Sequence, residues 1–146
     1  MTFRPCVLVL EDSDEDFDTF VMGIELEQIV SDLRRAESGE AFLAAFRAAR
    51  QRPPGPCLAI VDLNVRGVDG REVVREAKAD PELRATPLVV LTTSENPGDL
   101  ELCYRAGANA YHVKPVEYAE HLRMVRRLLA YWLRDVAQQT SERCEP

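Results

Sequence analysis

The sequence predicts a doubly wound α/β domain: five parallel strands in the order 2-1-3-4-5, with helices on both faces and an extended last helix. Three observations predict it. Five strand-length apolar runs, at 7–10, 32–36, 58–61, 88–91 and 110–113, alternate with segments of helical period. Three of the runs are apolar without alternation, as parallel strands covered on both faces must be. The 146 residues, 46% of them hydrophobic, suffice for one domain with a core but not comfortably for two.

Each element has a local cause. The first run leads to Ser13, a good N-cap for a helix over 14–28, with Asp14, Glu15 and Asp16 at the positive end of its dipole and Phe17, Phe20, Val21 and Ile24 on one stripe. After the weaker second run, a helix over 40–50 carries Phe42, Leu43 and Phe46, and Arg52-Pro53-Pro54-Gly55-Pro56 ends it. Val73, Val74 and Ala77 mark a helix over 71–79, which Asp80-Pro81 closes. Gly107 after Ala106 is a C-cap for the helix that follows the fourth strand. The last helix starts at Tyr118, is longer than the others, and runs to about 136. A polar tail over 137–146 is expected to fray. Alternating strands and helices with right-handed crossovers give the stated strand order.

Composition narrows the function. A net charge of −7 and a pI near 4.9 repel phosphate backbones, so nucleic acid is not an expected partner. Arg123, Arg126 and Arg127 read as a solvated helix face. The first apolar run is too short for a signal peptide or a span, so the expected location is cytoplasmic, away from membranes. Cys6, Cys57, Cys103 and Cys144 lack metal-ligand spacing and read as packing residues.

In a sheet of this order, ligands bind outside the carboxyl ends of the strands. The first run ends in Glu11-Asp12, the third in Asp62, the fourth in Thr92-Thr93-Ser94 and the fifth in Lys114-Pro115. One polar residue after a strand is only a loop beginning. Three carboxylates, a hydroxyl and an ammonium delivered to one edge are a site. Carboxylates without Cys or His suit a hard, oxygen-loving cation, Mg²⁺ rather than Zn²⁺. Beside such a cation a carboxylate can attack phosphorus and form an aspartyl phosphate. Glu11 and Asp12 would hold the metal together with Asp62 and the Asn64 main-chain carbonyl. Asp62 would be the nucleophile, Lys114 would pair with a phosphoryl oxygen, and the Thr92 hydroxyl would bond another.

These residues resemble a known family. Leu8-Val9-Leu10-Glu11-Asp12-Ser13, Val61-Asp62-Leu63-Asn64 followed by Val68-Asp69-Gly70, Leu91-Thr92-Thr93-Ser94, and Gly107-Ala108-Asn109-Ala110-Tyr111 through Lys114-Pro115 are similar to the receiver domain of two-component response regulators. The resemblance implies a flavodoxin-like, CheY-like receiver domain over 1–136. It further implies phosphorylation of Asp62 by a histidine kinase, reorientation of the switch residues Thr92 and Tyr111, a cis peptide at Lys114-Pro115, and output through a partner such as a downstream phosphotransfer protein. Val65-Arg66 departs from the family's common Met-Pro and predicts a basic, more mobile loop beside the site. Thr93 is bulkier than the usual Ala or Gly.

A narrower resemblance links Asp62-Leu63-Asn64, Gly70-Arg71-Glu72-Val73 and Leu129-Ala130-Tyr131-Trp132-Leu133 to the single-domain regulators that partner bacterial phytochrome kinases (bacteriophytochromes). It implies a homodimer through the last helix, with Tyr131, Trp132, Leu133 and Val136 as interface residues. The competing reading folds that last turn back on its own domain.

Other readings fare worse. Counted from Asp12, an EF-hand would need Gly where Phe17 stands and Glu where Gly23 stands. No nucleotide-binding glycine motif is present. An aspartate-nucleophile phosphatase would want a second Asp where Asn64 stands, as its general acid. A pseudo-receiver, a binding module never phosphorylated, would be expected to have lost an acid or Lys114.

Overall fold

The computed structural model describes residues 4–136. Their elements follow the expected order: β1 (Cys6–Leu10), α1 (Asp14–Leu26), β2 (Asp32–Ala36), α2 (Gly39–Arg50), β3 (Pro56–Val61), α3 (Gly70–Ala79), β4 (Leu88–Thr92), α4 (Pro97–Ala106), β5 (Ala110–Val113) and α5 (Tyr118–Ala130). The sheet is parallel, in the order β2-β1-β3-β4-β5. The tail and Cys144 lie outside the described residues.

Side chains of the three central strands alternate between two buried faces, which is why their sequences show no polar alternation. Leu8, Leu10, Ala59, Val61, Leu88 and Val90 pack with Phe42, Phe46, Val73 and Val74 of α2 and α3. Val7, Val9, Leu58, Ile60, Val89 and Leu91 pack with Phe20 of α1 and with Val125 and Leu129 of α5. Ser13 caps α1 as expected, its hydroxyl accepting the Asp16 N–H at 3.3 Å. Gly107 closes α4 at φ 111°, a conformation that side chains rarely adopt.

α5 departs from expectation at its end. Residues Tyr131–Val136 form a π-helical turn instead of continuing the α-helix. This turn folds back: Leu133 is buried with the α1/α5 side of the core, Trp132 is partly buried against it, and Arg134 reaches Glu27 at 3.1 Å. Leu133 is therefore a core residue and not an interface residue, because rotating it inward covers apolar surface that the domain itself supplies. Tyr131 stays exposed, edge-on to the Trp132 ring at 5.1 Å.

Among the described residues, Cys6, Cys57 and Cys103 are free and buried or partly buried, as packing residues should be. Burial pushes the Cys57 thiol up to about 12 and Cys103 up to about 11, so neither is a reactive thiolate near neutral pH. Arg126 is not merely solvated, for it pairs with Glu27, the C-cap of α1, at 2.8 Å.

Candidate functional site

Parallel register assembles the site. Leu10 lies opposite Val61, and the Asp62 N–H donates to the Leu10 carbonyl at 3.1 Å, so Glu11 and Asp62 emerge side by side. Thr92 lies opposite Val113, and the Lys114 N–H donates to the Thr92 carbonyl at 2.7 Å. Gly70 lets α3 start hard against this edge, where a Cβ would meet the Asp62 carbonyl at 2.5 Å.

At the centre the buried Lys114 ammonium donates to Glu11 Oε2 at 2.6 Å, Asp16 Oδ2 at 2.7 Å and Asp62 Oδ2 at 2.9 Å. The second Asp62 oxygen, Oδ1, accepts the Asn64 N–H at 3.1 Å. Burial pushes the Glu11 carboxyl up to about 7 against the pull of Lys114. Burial alone would lower the Lys114 pKa, but Asp62, Glu11 and Asp16 outweigh it and raise it, so the ammonium stays charged.

Thr92 is fully buried, with its hydroxyl accepting the Ser94 N–H at 3.3 Å. Tyr111 is half-buried, and its hydroxyl donates to the Ser94 carbonyl at 2.9 Å. Both residues thus bear on one short loop. Ser94 in turn donates from Oγ to Asp99 at 2.5 Å, and Arg71 grips the same carboxylate at 2.6 and 2.7 Å. Those hydrogen bonds hold the Asp99 carboxyl down to about 2.

Asp12 stands apart from the Lys114 cluster, 4.0 Å from the exposed Arg66 guanidinium. The loop that carries Arg66 is pinned rather than loosened. Its Arg66 carbonyl accepts the Gly39 N–H at 3.3 Å, and the Val68 N–H donates to Glu40 at 3.0 Å. The tip of α2 thus supplies restraint that the missing proline would have given. Lys114-Pro115 is trans; among the described residues the cis peptide is Pro53-Pro54.

Sequence reasoning passed over Asp16, Asp99 and His121. Asp16 read as one of three acids favourable to a helix dipole, yet it is three residues past the cap, on the turn facing the strand ends. Asp99 gave no signal, because its partner Arg71 belongs to another helix.

Oxygen donors of Glu11, Asp16 and Asp62 lie within 4.8 Å of one another. Such an all-oxygen set, two acids at strand ends and one on the first turn of α1, fits a hard divalent cation.

The model of the response regulator receiver domain matches residues 7–126. The chain belongs to that family. Receiver domains are signalling domains of two-component systems that work with histidine kinases, and this one is a phosphoacceptor response regulator. The receiver is 33% identical to the response regulator Rcp1 of Synechocystis sp. over 132 residues, 89% of this chain and 90% of that protein. Its fold is similar to the phosphorylated cyanobacterial phytochrome response regulator RcpA, with a TM-score of 0.84 at 27% identity over 90% of this chain and 96% of that one. It is also similar to the Mn²⁺-bound form of Rcp1, with a TM-score of 0.80 at 32% identity over the same shares. No helix among the described residues is long and apolar enough to cross a membrane.

Proposed function

We propose that Asp62 is the phosphoacceptor of this receiver and that the reaction depends on Mg²⁺ held by Glu11, Asp12, Asp62 and the Asn64 carbonyl. The reading is carried by one observation: the buried Lys114 ammonium touches both Asp62 and Glu11. An Asp62 carboxylate oxygen attacks phosphorus, and the P–N bond of the kinase phosphohistidine breaks. Its electron pair returns to the imidazole, which takes a proton from solvent. Lys114 then transfers the hydrogen bond it gave Asp62 to a phosphoryl oxygen, and the Thr92 hydroxyl turns to another. Bound Mg²⁺ supplies neutralisation of phosphoryl charge during transfer.

The outcome is signalling and not turnover of phosphate esters, since the position of a second acid is held by Asn64. Reorientation of Thr92 acts on the Ser94 loop, to which Tyr111 is bonded, and so on α4 and β5. The likeness to RcpA supports a bacteriophytochrome as the partner kinase, and the exposed Tyr131 beside Trp132 supports a homodimer through the end of α5. A downstream phosphotransfer protein and a cytoplasmic setting belong to the same reading.

Incubation with acetyl phosphate and Mg²⁺ tests the proposal. Intact mass should rise by one phosphoryl group, Asp62→Asn should abolish the gain, and chelation of the metal should suppress it. An unchanged mass under conditions that label other receivers would favour the pseudo-receiver.

A further inference from the structure

An Asp three residues after a Ser N-cap has a standard use: it reaches back to the N–H of the cap residue. Here that donor is already taken, because the Ser13 N–H donates to Glu11 Oε1 at 3.1 Å. The Asp16 carboxylate is thereby released from capping and lies 2.7 Å from Lys114 Nζ, with its side chain about one-third exposed. An ammonium has three N–H bonds, and Lys114 spends them on Glu11, Asp16 and Asp62. Two of those partners have other work on the proposed reaction path. Asp62 becomes an acyl phosphate, and Glu11 would help hold the cation. Asp16 alone keeps Lys114 in place throughout.

We propose that Asp16 is a positioning residue that anchors the Lys114 ammonium and aims it at the incoming phosphoryl group. The inference rests on the phosphoacceptor reading and names a residue that reading does not need. Its backbone is held by the Ser13 hydroxyl, which accepts the Asp16 N–H, and Asp16 Oδ1 faces Nδ1 of the buried His121 on α5 at 3.9 Å. Without Asp16, a lysine left with two competing carboxylates swings away from the oxygen it must reach. Misplacing a catalytic partner by about 1 Å costs up to about a hundredfold in rate.

The test uses the full chain with Asp16→Asn, Asp16→Ala and Asp16→Glu, monitoring labelling by acetyl phosphate at saturating Mg²⁺, Mg²⁺ affinity in the absence of phosphodonor, and thermal unfolding. Asp16→Ala should slow labelling about tenfold to a hundredfold. Its Mg²⁺ affinity should change by less than about fivefold, the worth of one partly exposed charge. Asp16→Asn, equal in shape, should unfold near the wild-type temperature yet remain slow, and Asp16→Glu should recover part of the rate. Wild-type labelling rates in Asp16→Asn and Asp16→Ala would overturn the inference. So would a loss of Mg²⁺ affinity as large as the loss of rate, which would make Asp16 a metal ligand. If the wild-type chain is not labelled at all, the phosphoacceptor reading fails and this inference with it; if only the Asp16 variants behave like wild type, the phosphoacceptor reading stands.

Discussion

Lys114 is the residue on which the site's charges balance. It is buried, and three carboxylates depend on it for a counter-charge. Lys114→Met should therefore cost about 3 kcal/mol of stability, the usual penalty for stripping a buried ion of its partner. Millimolar Mg²⁺ should return part of that loss, because a cation can stand where the ammonium stood. Urea midpoints with and without Mg²⁺ measure this, and an equal loss in both would show that the carboxylates do not share a cation site. Asp99 offers a second test. Its folded pKa of about 2 lies below its ordinary value of 3.8, so its contribution to stability is present above pH 4 and is lost as pH falls through 2. Asp99→Asn should cost about 2 kcal/mol at neutral pH, the worth of hydrogen bonds to a charged group. The gap from wild type should shrink as pH falls from about 4 to about 2. A gap independent of pH would mean that the Arg71 contact carries little energy.

At the scale of elements, the strands, the helices and the identity of the strand-end acids were legible in the sequence. Each rests on a local signal: a run such as Leu58 to Val61, a cap such as Ser13, a stop such as Asp80-Pro81. What escaped depended on how separate elements meet. The pinning of the Arg66 loop needs Glu40 from α2, and the Asp99 clamp needs Arg71 from α3. The fate of the last turn depended on whether the domain had apolar surface left to cover, which no window of sequence reports. Leu133 resolves that competition inward, so Leu133→Ala should destabilise the fold by about 3 kcal/mol, the scale of a buried leucine removed. It should leave any dimer's affinity nearly unchanged. Trp132→Ala should instead weaken dimerisation, seen by light scattering, while the fold survives; an unaltered dimer would remove Trp132 from the interface.

For the whole molecule, topology does most of the functional work. Residues 11, 62, 92 and 114 are distant in the chain, but a parallel sheet of this order ends all four of their strands on one edge. That convergence was predictable because it follows from strand order alone. The partners within hydrogen-bond reach of Lys114 were not, since side-chain reach decides them, and Asp16 of α1 joined them from outside the strand ends. All of this chemistry converges on Asp62 as the residue that receives the phosphoryl group. Labelling with acetyl phosphate, reduction of the acyl phosphate by borohydride to homoserine, and peptide mapping test it most directly. Homoserine should be found at position 62 and nowhere else. Modification at Asp12, Asp16 or any other carboxylate, with residue 62 still aspartate, would contradict it.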